Sequence, residues 1–335
     1  MQPPTPPAPL SSPASLPPGR SPQAAGWLLG LLGVFVFALT IPMTRLASGS
    51  LEAPQLPAVF VAIGRAALAG LLAAIWLRAV RAPWPRPAQW RQLALTALGV
   101  VFGFPLFLGL AVQRVDAAHA AVVSGLLPIS TAVIGALVMR QRPGAGFWAC
   151  AALGTGLVVA FALSRGGAGL QAADGLLALA VAWGGFGYVF GARLSAPQGD
   201  GQPPMPPEQV ISWVLAACLP VTLPVAWAVW PAAPVRPAAW GGFLYVSVFS
   251  VWLGFFAWYR ALQLGGMLRV SQVQLLQPFL SMALAVPLLG ETLDAPTLGF
   301  ALAVMATVFL SRRMAVQTVA PQHPPIASVP RGVSP

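Results

Sequence analysis

Charge is what this sequence has least of. Of 335 residues only 7% are charged, no lysine occurs, and 57% are hydrophobic. A water-soluble domain carries about 25% charged residues, so the composition excludes one and makes lipid the solvent. Cysteine is scarce as well. Cys150 and Cys218 both fall in apolar stretches, which excludes a disulfide framework and a cysteine metal site; both read as small packing residues. No G-x-x-x-x-G-K-[ST] loop is present, so no ATP site is visible. The N-terminus lacks the charged start and short apolar centre of a signal peptide.

Carboxylates are missing where they would matter most. Glu52, Asp116, Asp174, Asp200, Glu208, Glu291 and Asp294 all fall in loops or at helix ends. A proton-coupled exporter of lipophilic cations uses a mid-membrane carboxylate as counter-charge and proton carrier. Its absence favours neutral or zwitterionic substrates. Paired aspartates and histidine-rich sets are absent too, so no metal and no cofactor is expected. Ser124 and His119 share one apolar stretch. They lie five residues apart, about 140° around a helix, and cannot face each other as a hydrolase pair. An intramembrane enzyme is therefore disfavoured.

What is present is apolar length. Ten windows can be marked: 27–44, 57–76, 93–112, 117–139, 147–163, 175–192, 210–230, 240–259, 270–289 and 293–310. Each is close to the roughly 20 residues that cross a bilayer, and each must be helical, because only a helix satisfies its own backbone groups in hydrocarbon. With the N-terminus in the cytoplasm, thirteen arginines fall inside. Only Arg45, Arg114, Arg165 and Arg236 fall outside. That bias places both termini in the cytoplasm. It also accounts for the net charge of +11, so no nucleic-acid partner is expected; the partners are a lipid bilayer and a small-molecule substrate. The sequence sets no oligomeric state, and a homodimer is compatible with it.

The windows occur twice. Residues 111–159 align without a gap on residues 261–309, an offset of 150, with Pro128 on Pro278, Ser124 on Gln274 and Thr131 on Ser281. Arg45-Leu46-Ala47 and Arg193-Leu194-Ser195 extend the likeness backward. The units are five helices each, over 26–163 and 175–312. Five is odd, so the second unit enters from the opposite side, giving an inverted pair able to rock between two openings. The expected fold is all-α: ten transmembrane helices as two inverted five-helix repeats. Pro-rich tails at 1–25 and 314–335 are expected to be disordered.

The matched helices carry the candidate site. Gln274, Gln277, Pro278 and Ser281 fall within one arc of about 100°; Ser124, Pro128 and Thr131 form the counterpart face. Two glutamines in hydrocarbon are costly unless bonded or wetted, and each proline frees a carbonyl and permits a kink. Two readings remain, a polar substrate lining or interhelical hydrogen bonding. Trp183 and Trp252, near mid-helix, need a partner for the indole N–H and are candidates for a pocket wall. Arg65 is the only arginine well inside a window. It can meet a substrate carboxylate, lock onto a backbone carbonyl, or snorkel outward over the ~12 Å to the helix end. Gly99-x-x-x-Gly103 and Gly187-x-x-x-Gly191 have the spacing of close helix contacts. His119 reads as structural.

The runs Ala261-Leu262, Val270-Ser271, Leu276-Gln277-Pro278, Leu288-Leu289-Gly290-Glu291 and Gly299, with Leu110-Ala111 and Ser124-Gly125-Leu126-Leu127-Pro128 in the first half, resemble the EamA-like repeat of the drug/metabolite transporter superfamily. Arg65 sits where that family often has an arginine. Arg140-Gln141-Arg142 departs from the family's usual glutamate, kept here only as Glu291. The resemblance implies a ten-helix inner-membrane transporter of metabolites, often an exporter of amino acids. Drug or cation efflux and nucleotide-sugar-like antiport are the alternatives, and a non-transporting scaffold has little use for matched polar faces.

Overall fold

Described residues in the computed structural model are 22–138, 143–166, 171–196, 203–265 and 271–314. The Arg140-Gln141-Arg142 departure and nearly all of both tails lie outside them. Helices form in chain order as α1 (Pro22–Ala38), α2 (Thr40–Ser48), α3 (Ala58–Ala79), α4 (Pro87–Ala97), α5 (Phe104–Val112), α6 (Ala117–Ser124), α7 (Leu127–Val138), α8 (Ala145–Gly166) and α9 (Ala172–Leu194). They continue as α10 (Pro207–Ala217), α11 (Leu219–Ala228), α12 (Pro237–Tyr245), α13 (Gly254–Gly265), α14 (Gln277–Leu289) and α15 (Ala295–Met314). Among the described residues no strand forms.

Seven helical runs are long and apolar enough to cross a membrane: Ala24–Ser48, Ala58–Ala79, Pro87–Val112, Ala117–Val138, Ala145–Arg165, Ala172–Leu194 and Pro237–Trp258. The α10–α11 pair makes an eighth if counted as one span bent by 52°, and Val273–Leu289 and Ala295–Ser311 are shorter apolar helices. Most runs extend beyond the windows marked from hydropathy, and two of the starts show why. Pro87 opens α4 ahead of its apolar part, where a proline fits the first turn, and Gln89 Oε1 accepts from the Arg86 amide at 2.8 Å. Ala172 opens α9 because Asp174 Oδ2 accepts from the Gln171 amide at 2.9 Å.

The irregularities fall in matched places. A π-helical stretch at Leu98–Gly103 separates α4 from α5, and another at Val246–Leu253 separates α12 from α13. The chain breaks at Gly125–Leu126 before Pro128, and narrows to a 3₁₀ stretch at Ser271–Leu276 before Pro278. Two further breaks were not foreseen. Leu39 separates α1 from α2, and Cys218 separates α10 from α11 two residues ahead of Pro220.

Packing exchanges one half for the other. The α1–α2 rod lies on α12–α13, as α9 lies on α4–α5; α3 lies on α10 and α11, α6 on α14, and α8 on α15. The two Gly-x-x-x-Gly motifs meet in this pattern. A Cβ at Gly99 would sit 2.5 Å from Gly187 Cα, one at Gly103 2.4 Å from Trp183 Cγ, and one at Gly191 3.3 Å from Thr96 Cγ2.

Connections gather on two opposite faces. On one, Leu51 N donates to Gln113 O at 3.1 Å, Arg236 N to Gln55 Oε1 at 3.0 Å, and Arg165 pairs with Asp294 and Thr297. Hydrogen bonds from the Thr297 hydroxyl and amide, with Arg165 beside it, hold the Asp294 carboxyl below its ordinary value. His119 Nε2 lies 2.8 Å from Asp174 Oδ1, tying α6 to α9, so that histidine is structural. On the other face Met205 N donates to Leu194 O at 3.0 Å, and Trp84 packs on Trp213 with ring centres 5.0 Å apart.

Gly99→Ala is expected to cost about 2–3 kcal/mol, since overpacking at a backbone crossing cannot relax through a side chain. Gly156→Ala, where an added Cβ meets open space, is expected to be neutral. Thermal unfolding of the purified variants in detergent checks the pair.

Candidate functional site

Two adjoining cavities of about 60 and 30 Å³ lie between the halves and share Ile41, Ser124, Leu127 and Gln277 in their walls. A water needs some 10–15 Å³ on this measure, so together they hold a handful. Every chain irregularity around the centre of the bundle feeds them. Thr40 follows the α1–α2 break, Ser124 precedes the α6–α7 break, Val100 and Ser250 come from the two π-helical stretches, and Gln277 opens α14.

The larger cavity contains Arg65, which is 3% exposed. It therefore does not snorkel to a membrane surface, and its Nε has no hydrogen-bond partner, so it is not locked on a carbonyl through that atom either. Across the cavity stand Tyr188 from α9 and the pair Thr40–Ser250, whose hydroxyls lie 2.7 Å apart. Ser124 Oγ is buried without a partner. The smaller cavity is lined by Gln274, Gln277, Pro128, Pro278 and Ser281, and Ser281 Oγ is likewise unpartnered. Gln274 and Gln277 keep a common face although the chain between them is 3₁₀, because residues three apart eclipse in that geometry.

Three expected lining residues stand elsewhere. Thr131 Oγ1 donates to Leu127 O at 2.8 Å, one turn back on its own helix, and its backbone packs on Gly185 of α9. Trp183 covers Gly103 and meets the Phe186 ring edge-on at 5.7 Å; Gly184 and Tyr188 line the cavity in its place. Trp252 is buried and donates its indole N–H to Ser212 Oγ at 3.0 Å. Its partner is thus structural, while its neighbours Ser250 and Val251 reach the wall. Sequence reasoning missed Thr40 and Ser250. The only local signal was a threonine two residues before Pro42 in an apolar run, and nothing in the periodicity announces a π-helical stretch.

A separate basin of about 510 Å³ opens on the face carrying Glu291 and includes Arg45, Asp116 and Arg236. Gly290, at φ 71°, ends α14 in the left-handed conformation that glycine favours. That turn brings Glu291 to the start of α6, where its oxygens accept from the amides of Ala117 at 2.6 Å and Ala118 at 2.9 Å. Burial holds the Glu291 carboxyl above its ordinary value, against the pull of the two amides and of Arg45. Arg45 itself donates to Val112 O and, at 3.4 Å, to Gly49 O. Glu291→Ala strands the two amides of a helix start and is expected to destabilise the fold by about 2 kcal/mol, read as a lower unfolding temperature. An unchanged temperature would show water replacing the carboxylate without loss.

Known proteins agree with this architecture. The family model of the EamA-like transporter family matches residues 24–163 and again 172–313. The uncharacterized transporter YdeK of Bacillus subtilis (strain 168) is 39% identical over 292 residues, covering 87% of this chain and 98% of its own length. A solved crystal structure, 19% identical, superposes with a TM-score of 0.56 over 88% of this chain and 100% of its own, which shows the fold alone. Two family matches, one on each half, with a relative of nearly full length, make this chain a multi-pass membrane protein of the EamA-like transporter family.

Proposed function

We propose that this transporter is a secondary one, moving small neutral or zwitterionic metabolites, such as amino acids, outward across the inner membrane by alternating access. The observation that carries this is the polar lining, free of carboxylates, of the two small cavities between the halves. Ser124, Gln274, Gln277 and Ser281 come from the two matched broken helices and line these cavities. Interhelical bonding, the rival use for such residues, is not supported, because Ser124 Oγ and Ser281 Oγ bond to nothing. The small volume suits a small metabolite better than a bulky drug.

Ten crossings and an inverted pair belong to the same reading. The exchange of packing partners between halves supports it, as does the grouping of connections on two faces. The Glu291 face would be the outer one. Arg45, Arg114, Arg165 and Arg236 lie by it, whereas the arginines at 78, 81, 86, 91 and 193 lie by the Met205 face, which the positive-inside rule puts in the cytoplasm. Breaks before Pro128 and Pro278 would let α7 and α14 pivot while α6 and the 3₁₀ stretch stay docked.

Purified protein in liposomes, loaded with labelled amino acids and other small metabolites, is expected to show counterflow for at least one. Gln277→Leu, in the wall of both cavities, is expected to slow it about tenfold or more, the worth of one buried hydrogen bond, and Gln274→Leu to slow it less. Wild-type rates in both variants would remove the glutamines from the site; absence of counterflow for every solute would refute the transport reading.

A further inference from the structure

We infer that Arg65 anchors a carboxylate, and that the substrate's amino group, where present, is not recognised by charge; 2-oxo and 2-hydroxy acids should therefore be carried as well as amino acids. This rests on the transport reading above and extends it from zwitterions to carboxylate anions.

The first support is an unbalanced charge. Arg65 is 3% exposed, sits in the wall of the central cavity, and has no partner for its Nε. No aspartate or glutamate lines either cavity, and no carboxylate pairs with Arg65 among the described residues. A buried guanidinium left without a counter-ion costs several kcal/mol. Water in the cavity offsets part of that cost, and a ligand bearing a carboxylate would offset more, because the planar fork of the guanidinium presents two parallel N–H groups matched to two oxygens.

The second support is what surrounds it. Tyr188, Thr40, Ser250, Ser124 and Gln277 are the polar groups of that cavity. All are neutral. Hydroxyls and an amide can donate to a carboxylate, a 2-oxo group or a 2-hydroxyl, and can accept from an ammonium, with little preference among them. An ammonium would find dipoles there but no opposite charge. A site built on one fixed cation and neutral dipoles distinguishes acids from amides strongly and amines from ketones weakly.

A third point concerns placement. Arg65 comes from α3 in the first half and Tyr188 from α9 in the second, while Ser124 and Gln277 come one from each broken helix. A carboxylate bound among them touches both halves, so it would be felt by any motion of one half against the other.

The test compares matched solutes on the same proteoliposomes: phenylalanine and alanine, their amides, and phenylpyruvate and pyruvate. Acids with and without the amino group are expected to compete with one another within about threefold. The amides are expected to be weaker by about 30-fold or more, the worth of a charge-assisted hydrogen bond. Arg65→Gln is expected to abolish the preference for acid over amide, and Arg65→Lys to restore part of it. Thermal stabilisation of the wild type by each acid–amide pair needs no variant and keeps the question open to refutation if Arg65→Gln fails to fold. Equal binding of acids and amides by the wild type would overturn the assignment while leaving transport intact. Rejection of 2-oxo acids by a protein that carries the amino acids would also overturn it, by showing that the ammonium is read. Failure of any solute to move would instead sink the transport reading.

Discussion

A backbone carbonyl in hydrocarbon must find a donor, and the rest of this structure depends on that constraint. Helices meet it everywhere along their length. Where a helix is broken, something else must meet it, either protein or water. Except for the one at Cys218, the breaks among the described residues fall around one place. The end of α1, the two π-helical stretches, the Gly125–Leu126 break and the 3₁₀ stretch before Gln277 all border the central cavities. Tyr245 Oη donates to Val36 O at 3.0 Å, just before the α1–α2 break, and supplies a protein donor there. Elsewhere water in the cavities would have to take that part. Irregular backbone and polar side chains are thus gathered around the two central cavities.

Electrostatics follows the same economy. The acids that matter lie on the Glu291 face, and each ties two segments together: Glu291 to α6, Asp174 to His119, Asp294 to Arg165. The Arg165–Asp294 pair is exposed and contributes little by itself, but all three join parts of the chain far apart in sequence. Among the described residues Arg65 is the charged side chain in the walls of the two central cavities, and no carboxylate there pairs with it.

Much of this was legible in the sequence because it rests on composition and repetition. A 150-residue offset exposes the duplicated unit whatever the local geometry, and proline at matched depths marks a break, since its missing N–H breaks the ladder wherever it falls. Gln274 and Gln277 could be placed together because residues three apart share a face in both α and 3₁₀ geometry. Assumed regularity is what failed. Thr131 satisfies its hydroxyl on its own helix, and Trp183 and Trp252 turn to a glycine and to Ser212; a wheel drawn at 100° per residue does not register such partners, and it does not hold across the π-helical stretch that contains Trp252. Ser250 reaches the cavity from inside such a stretch. Thr40 reaches it from a break that no proline at the same residue announces. Arg65 was found, but its three readings could be separated only by burial and by an orphaned nitrogen.

Whether water occupies the space between the halves can be measured directly. In a Cys150→Ala, Cys218→Ala background, Ser124→Cys should react with a small water-soluble methanethiosulfonate in intact proteoliposomes, whereas Leu153→Cys, on the exposed apolar surface, should not. If Ser124→Cys is as inert as Leu153→Cys in a folded protein, the cavity is not wet and the account fails.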